Sequence, residues 1–250
     1  MDLIELAGIA RAAGRAILGI YERDFSIAEK EDRSPLTEAD LASHRVIVEA
    51  LQQLTPDLPI LSEESASIPF ESRRSWHRYW LVDPLDGTKE FIKRNGEFTV
   101  NIALVEDGRV AAGVIYVPAQ DTLYFGCLEA GCWKGTAGAE LAPIKVREAD
   151  HNTGLTVVMS RSHPSPELEK YLQEVNVSEA LPVGSSLKLC VVAEGKADLY
   201  PRLGPTMEWD TAAGHAIVEA AGGTVLTEDG TPLRYNKESL LNPHFIVRGR

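Results

Sequence analysis

Cysteine is scarce in this chain. Cys127, Cys132 and Cys190 are the only three, an odd count with no zinc-ligand spacing. That excludes a disulfide framework; Cys127 and Cys132 are close enough to be neighbours, but a reduced, intracellular state is the simpler expectation. Positive charge is also in short supply, with 25 Lys and Arg against 37 Asp and Glu and a formal net charge of −12. Such a balance argues against nucleic acid as a partner. It leaves room for a small phosphorylated ligand, because a bound cation reverses the local field. No apolar run approaches the roughly 20 residues of a membrane span, so no integral membrane segment is expected. The first residues, MDLIELAGIARAAGRAI, are acidic early and amphipathic, unlike a signal peptide, which predicts a cytoplasmic protein. Internal repeats and low-complexity tracts are absent as well.

What is present is enough chain, at 250 residues, for one large domain or two small ones. Leu3, Leu6, Ala7, Ala10, Ala13, Ile17, Ile20 and Tyr21 recur at helical spacing and predict a long amphipathic helix. Phe25 to Arg33 is polar and reads as a hairpin or mobile loop. Ser34-Pro35 marks a turn, and Thr37 is placed to cap a helix running to about Leu54. Thr37 and Asp40 have capping-box spacing, so one reading of Asp40 is simply a first-turn residue favoured by the helix dipole. Leu58 to Leu61 predicts a short strand, and Ile68 to Arg78 a surface loop. Alternation predicts strands over Phe98–Leu104, Val110–Val117 and Thr122–Gly126, with Asp107-Gly108 as a hairpin turn. Small residues from Gly135 to Pro143 suggest a division into two lobes, 1–140 and 141–250. The second lobe alternates: a strand over Leu155–Ser160, a helix over Pro166–Val175, and a nearly all-apolar helix over Ser185–Glu194. A strand over Ala197–Tyr200 follows, then a helix over Thr211–Ala221 with Asp210 at its N-cap. Strands over Thr224–Leu226 and Phe245–Val247 close the sheet. The pattern is α/β, in a layered α+β arrangement.

The chemistry concentrates in Trp80 to Phe91, WLVDPLDGTKEF. A strand ending near Val82 leads into a turn in which Pro84 biases Asp83 to an extended conformation. Asp83 and Asp86 then converge across the bend. Converging carboxylates repel and need a cation or a shared proton between them. Hard oxygen ligands select magnesium, manganese or calcium over zinc. Gly87 and Thr88 present backbone N–H groups at a helix start, which favours an anion. The plainer reading, in which both aspartates serve only the turn and the cap, also fits DPLDG.

DPLDGT resembles the core motif of the inositol monophosphatase superfamily of metal-dependent, lithium-sensitive phosphatases, and DGTKEF resembles its bisphosphate nucleotidase branch. WDTAAGHAI with Gly222-Gly223 after it is similar to the second signature, and the likeness extends over essentially the whole chain. The resemblance implies a two-lobed layered α/β sandwich of the sugar phosphatase kind. It implies metal ligation by Glu63, Asp83, the Leu85 carbonyl, Asp86 and Asp210, with two or three magnesium ions or manganese in their place. Ser62 stands where the family usually has Gly, which leaves Glu64 open as the ligand in place of Glu63. Asp210 can be both N-cap and ligand, one carboxylate oxygen serving each. The family's water-activating pair falls on Asp40 and Thr88. Glu63, Leu85, Asp86, Gly87, Thr88 and Asp210 would surround the scissile phosphate. Ser160 and His163, in SRSH, and Gly184 and Lys188, in GSSLK, would contact the rest of a nucleotide; Arg202 is a weaker candidate. Lys188 also reads as a solvated helix lysine, although its neighbours are almost all apolar.

The implied activity is removal of the 3′-phosphate from 3′-phosphoadenosine 5′-phosphate, and from the related 3′-phosphoadenylyl sulfate of sulfur assimilation. The alternatives are an inositol monophosphatase or related sugar phosphatase, and a non-catalytic metal-dependent phosphometabolite sensor. The expected partner is a small phosphorylated nucleotide, and the expected state a monomer or homodimer. Peripheral contact with the cytoplasmic face of the inner membrane is also compatible with the sequence.

Overall fold

The N-terminal apolar periodicity forms α1, Leu3–Tyr21, which buries Leu6, Ala7, Ala10, Ala13 and Ile17 along one stripe. In this computed structural model the described residues are 3–23, 35–150, 152–161 and 166–250. The expected hairpin or loop over Phe25–Arg33 and the candidate His163 lie outside them. Helix α2, Pro35–Leu54, begins before the position the sequence suggested. Thr37 therefore sits inside its first turn and is not its N-cap. The proline at the start explains the shift, since its missing N–H is harmless at the first helical position.

The first sheet has seven strands in sequential order. They are β1 (Ile60–Ser62), β2 (Arg78–Asp86), β3 (Thr99–Glu106), β4 (Arg109–Val117), β5 (Thr122–Cys127), β6 (Gly131–Thr136) and β7 (Ala142–Pro143). β1 pairs parallel to β2, and the later pairs are antiparallel. The expected surface loop over Ile68–Arg78 holds a short helix, α3 (Phe70–Arg73), instead. Arg73 is buried there and donates to Asn236 Oδ1 at 2.9 Å and to the Lys237 and Glu238 carbonyls at 2.6 and 2.8 Å. A guanidinium so supplied with acceptors tolerates burial, which its polar sequence neighbours did not reveal. The turn at Asp107 and Gly108, with φ of 48° and 72°, is the expected hairpin.

The second sheet runs β11-β12-β10-β8-β9. Its chain order is β8 (Leu155–Ser160), α5 (Pro166–Gln173), β9 (Val177–Val183), α6 (Leu187–Ala193), β10 (Leu199–Arg202), α7 (Glu208–Ala220), β11 (Thr224–Thr227) and β12 (Phe245–Arg248). A short helix, α4 (Thr88–Ile92), follows β2 in the first sheet. β9 was not anticipated. It is an edge strand, mostly exposed and carrying Pro182, so it lacks the alternation that marks a half-buried strand.

The layers stack as helix, sheet, helix, sheet, helix. α1 and α2 cover one face of the first sheet, in a core that joins Leu6, Ile17 and Ile47 to Trp80, Val82 and Val100. The other face shares a continuous core with α6, α7 and the second sheet, through Leu81, Ala103, Ile115, Leu189, Ala216, Val225 and Val247. Tyr171 and Leu172 of α5 cover Leu155, Val157 and Leu199 on the far side. Just past the expected boundary at residue 140, β7 at Ala142–Pro143 still pairs with β6. The two sheets are joined by one core.

α7 starts three residues before the expected Thr211. Glu208 is fully buried at its first position and accepts from the Asn236 N–H at 2.7 Å, the Lys237 N–H at 3.0 Å and Lys237 Nζ at 2.6 Å. Asp210 is thus not the N-cap but the third helical residue, and its Oδ2 accepts the Met207 N–H at 2.8 Å. All three cysteines are free. Among the described residues no helix is long and apolar enough to cross a membrane.

The approach of α7 to the first sheet depends on Gly113. A Cβ there would lie 2.3 Å from the Ala213 carbonyl oxygen, a backbone atom of a buried helix that cannot step aside. Gly113→Ala is expected to destabilise the fold by about 1–3 kcal/mol, the usual range for overpacking. The check is the urea unfolding midpoint; an unchanged midpoint would mean that α7 sits further from the sheet.

Candidate active site

Strand β2 does not end at Val82. It pairs with β3 through Asp83 and resumes at Asp86, with a shift in register between them. This irregularity accommodates Pro84, which has no N–H to donate. Ser43 of α2 fixes the bend by donating to the Pro84 carbonyl at 2.7 Å, and the Leu85 N–H donates to Asp83 Oδ1 at 3.1 Å. Gly87 follows with φ 96° and ψ 48°, a left-handed conformation natural to glycine. A side chain there would also press on Phe98 Cα and Ser185 Cβ, each 3.2 Å from the added carbon. Thr88 opens α4 and is exposed at the rim.

From the other side of the cleft, Ser186 meets Asp86. Its N–H and Oγ lie 2.5 and 2.6 Å from Asp86 Oδ2. The same hydroxyl is 2.7 Å from the Asp210 carbonyl, and its single proton serves one acceptor at a time. Asn101 of β3 donates to Ser186 Oγ at 2.9 Å. Neither Ser186 nor Asn101 was singled out from sequence. The available signal was Asn101, a polar residue inside an otherwise apolar strand and 1% exposed.

Six carboxylates act on one another here. Asp83 is buried and held well above the usual carboxylate range, first by burial and then by Asp86, Glu63, Asp210 and Asp40. Burial, then Asp86, pushes Asp210 up to about 7, against the opposing Met207 N–H. Asp40 is pushed up to about 8 by burial, then by Glu64 and Glu63. Glu63 remains exposed in surface terms, yet crowding from its surroundings and from Asp86 raises it too. The two glutamates press on different neighbours most strongly: among the carboxylates Asp86 weighs most on Glu63, whereas Glu64 weighs most on Asp40.

Asp40 and Thr88 are not hydrogen-bonded to each other, as the water-activating pair had suggested they would be. Asp40 Oδ1 is buried without a partner. Among the described residues no three His, Cys, Asp or Glu side chains already close around a common metal position. Asp83, Asp86 and Asp210 each give one oxygen to a protein donor. Even so, the donor set fits a hard divalent cation. It consists of crowded carboxylates with an orphaned oxygen beside them, and a cation offsets the repulsion that a protein of all-oxygen ligands otherwise carries.

Of these carboxylates Asp86 and Asp210 line a cleft of about 330 Å³. One wall carries Asp86, Gly87, Thr88 and Asp210; the other carries Ser160, Ser185, Lys188, Tyr200 and Arg202. Lys188 is not a solvated lysine. It is 7% exposed, its Nζ donates to the Ser185 carbonyl at 2.5 Å, and burial lowers it to about 8 against the pull of Asp86. Arg202 donates to the Pro205 carbonyl at 2.8 Å and keeps a buried Nε without a partner. Gly184 departs from expectation, since its N–H is already given to Glu97 Oε2 at 2.7 Å and does not face the cleft.

A layered fold with carboxylates gathered at a broken strand end is that of a known class, and the chain belongs to the inositol monophosphatase family, which it matches over residues 2–247. Within that family it is 52% identical over 248 residues to the 3′(2′),5′-bisphosphate nucleotidase CysQ of Salmonella typhimurium, covering 98% of both chains. The CysQ of Escherichia coli K12 is 50% identical over the same length. Among solved structures, CysQ from Bacteroides thetaiotaomicron superposes with a TM-score of 0.89 at 47% identity, covering 100% of this chain and 98% of that one. An inositol monophosphatase from Anabaena gives 0.79 at 27% identity, covering 98% and 89%.

The raised carboxyls have a thermodynamic consequence. A group whose folded pKa exceeds its unfolded value stabilises the fold below the unfolded pKa, and that contribution is lost as pH rises through the folded value. In chelator, Asp40 and Asp210 should therefore make the protein less stable as pH climbs from about 5 to about 8. A divalent cation competes with those protons, so the rise in Tm that it gives should be larger at the higher pH. A cation effect that is equal at both ends would contradict the mutual repulsion described above.

Proposed function

We propose that the chain is a 3′(2′),5′-bisphosphate nucleotidase, a phosphoric monoester hydrolase acting on 3′-phosphoadenosine 5′-phosphate to give AMP and phosphate. The observation that carries this is a single cleft whose two walls differ in charge. One is a cluster of carboxylates suited to cations and a phosphate; the other holds a buried lysine and an arginine with an unpartnered Nε. A substrate with two phosphates matches both walls. The full-length identity to the CysQ nucleotidases supports the same reading.

Glu63, Asp83, Asp86, Asp210 and the Leu85 carbonyl would hold magnesium, with manganese as an alternative. Bound there, the ions would neutralise the phosphate and lower the pKa of water. The residues of the chain have their own tasks. The irregular end of β2 turns Asp83 and Asp86 toward one region while Ser43 and Ser186 hold the bend. Asp40 keeps an oxygen free to take a proton, and the Thr88 hydroxyl at the rim orients the attacking group. Lys188 and Ser160 receive the phosphate that does not react, and Tyr200 lies 5.6 Å from the ammonium of Lys188.

Phosphate release should be measured over 3′-phosphoadenosine 5′-phosphate, 3′-phosphoadenylyl sulfate, 3′-AMP and inositol 1-phosphate with magnesium. The bisphosphate is expected to have the highest kcat/KM, and preference for the inositol phosphate would overturn the proposal. Asp83→Asn should nearly abolish turnover. Lys188→Ala should lower kcat/KM for the bisphosphate about ten- to a hundredfold, the worth of one charge-assisted bond to phosphate. It should leave 3′-AMP nearly unaffected, because that substrate lacks the 5′-phosphate.

A further inference from the structure

Glu97 lies between α4 and β3 and has no part in the chemistry above. Its carboxylate nevertheless accepts three hydrogen bonds from segments 64 and 87 positions further along the chain. Arg161 donates from Nη2 to Oε1 at 2.7 Å and from Nε to Oε2 at 3.0 Å, a bidentate pair. The Gly184 N–H donates to Oε2 at 2.7 Å. Arg161 Nη2 also reaches the Pro182 carbonyl at 2.6 Å, so the end of β9 joins the same knot.

These contacts place Glu97 between the two walls of the cleft. Its carbonyl oxygen would be 3.3 Å from a Cβ on Gly87, so its backbone lies against the turn that carries Asp86 and Thr88. Its side chain holds the residues flanking the opposite wall: Arg161 follows Ser160, and Gly184 precedes Ser185. The packing leaves no slack, since a Cβ on Gly184 would come within 2.5 Å of Glu90 Cγ and 3.0 Å of Glu97 Oε2. Ser185 has φ 45°, a conformation that a non-glycine residue keeps only under constraint. Glu97 supplies the constraint on one side, through the Gly184 N–H, and Asp86 supplies it on the other, through the Ser186 N–H. The carbonyl of that same strained Ser185 positions the Lys188 ammonium.

We propose that Glu97 is a positioning residue for the second phosphate: by bracing Arg161 and Gly184 it sets the spacing between the carboxylate wall and the wall of Ser160 and Lys188. The proposal rests on the reading of the cleft as a bisphosphate nucleotide site. A ligand with two anionic groups at fixed separation senses that spacing, whereas a monophosphate held at the carboxylate end does not.

The test compares the wild type with Glu97→Ala, Glu97→Gln, Arg161→Ala and the double variant Glu97→Ala/Arg161→Ala. Glu97→Ala should raise KM for 3′-phosphoadenosine 5′-phosphate about tenfold with kcat within about twofold, and should change KM for 3′-AMP less than about twofold. Glu97→Gln keeps an acceptor for the Gly184 N–H and should recover part of the loss. The double variant should be no worse than Glu97→Ala alone, because Arg161 acts through the same brace. Independently of substrate, hydrogen exchange at the Gly184 amide should quicken in Glu97→Ala. Equal losses on both nucleotides, a fall in kcat at constant KM, or unchanged exchange at Gly184 would each overturn the proposal. A wild type that ignores bisphosphate nucleotides would instead overturn the proposed function and the two-phosphate role with it, while the exchange measurement would still report whether the brace exists.

Discussion

Mutual repulsion among Asp40, Glu63, Asp83, Asp86 and Asp210 is the constraint around which the molecule is arranged. Carboxylates brought together with restricted access to water oppose folding unless protons or cations join them. The scaffold holds them there nonetheless. Asp83 is fixed in a seven-stranded sheet, Asp86 is gripped by Ser186 from across the cleft, and Asp210 is turned back on the start of α7. Each grip comes from a different part of the chain, so the cluster exists only in the complete fold. A charge arrangement that is unfavourable by itself is what suits the site, in the proposed function, to cations and to the phosphate that they would neutralise.

α7 does the joining. Its Trp209, Ala212, Ala216 and Ile217 belong to the core shared by both sheets, and its first turn carries Asp210 to the cleft. Small residues make this possible: Gly113 beneath Ala213, and Gly214 against Leu189 of α6, let the helices and sheet approach closely. The apolar run after Trp209 therefore serves packing and chemistry together. α7 is buried between the layers on most of its surface, Glu208, Thr211 and His215 included.

Much of this was legible in the residues. Periodicity located α1, the hairpin at Asp107-Gly108 and the strands on either side of it, because local pattern and burial agree there. DPLDGT located the acidic centre and the start of α4 at Gly87-Thr88. What was not legible depended on distant partners. Pro84 suggested that β2 stops at Val82, yet pairing with β3 carries it through the motif. β9 lacked alternation because it is an edge strand. Thr211 looked like the start of α7 because Glu208 reads as a surface residue until Asn236 and Lys237 are seen to enclose its carboxylate. Ser186, Asn101 and Glu97 took their importance from contacts across the cleft, which no local window contains.

The shared core around α7 also bears on how this architecture can change. A protein whose two halves met across a hydrated, polar seam could exchange one half for another with little disturbance. Here the seam is apolar, and the residues that line it are those that set the height of the sheets above each other. Inheritance of new substrate preferences by wholesale lobe replacement is therefore disfavoured. The tolerant positions are loop residues at the rim, such as exposed Pro205, which lines the cleft, and Gly204 beside it, where an added Cβ would meet nothing within 4 Å. Diversification along such a lineage would proceed by small edits at the rim, with the interior handed down nearly intact.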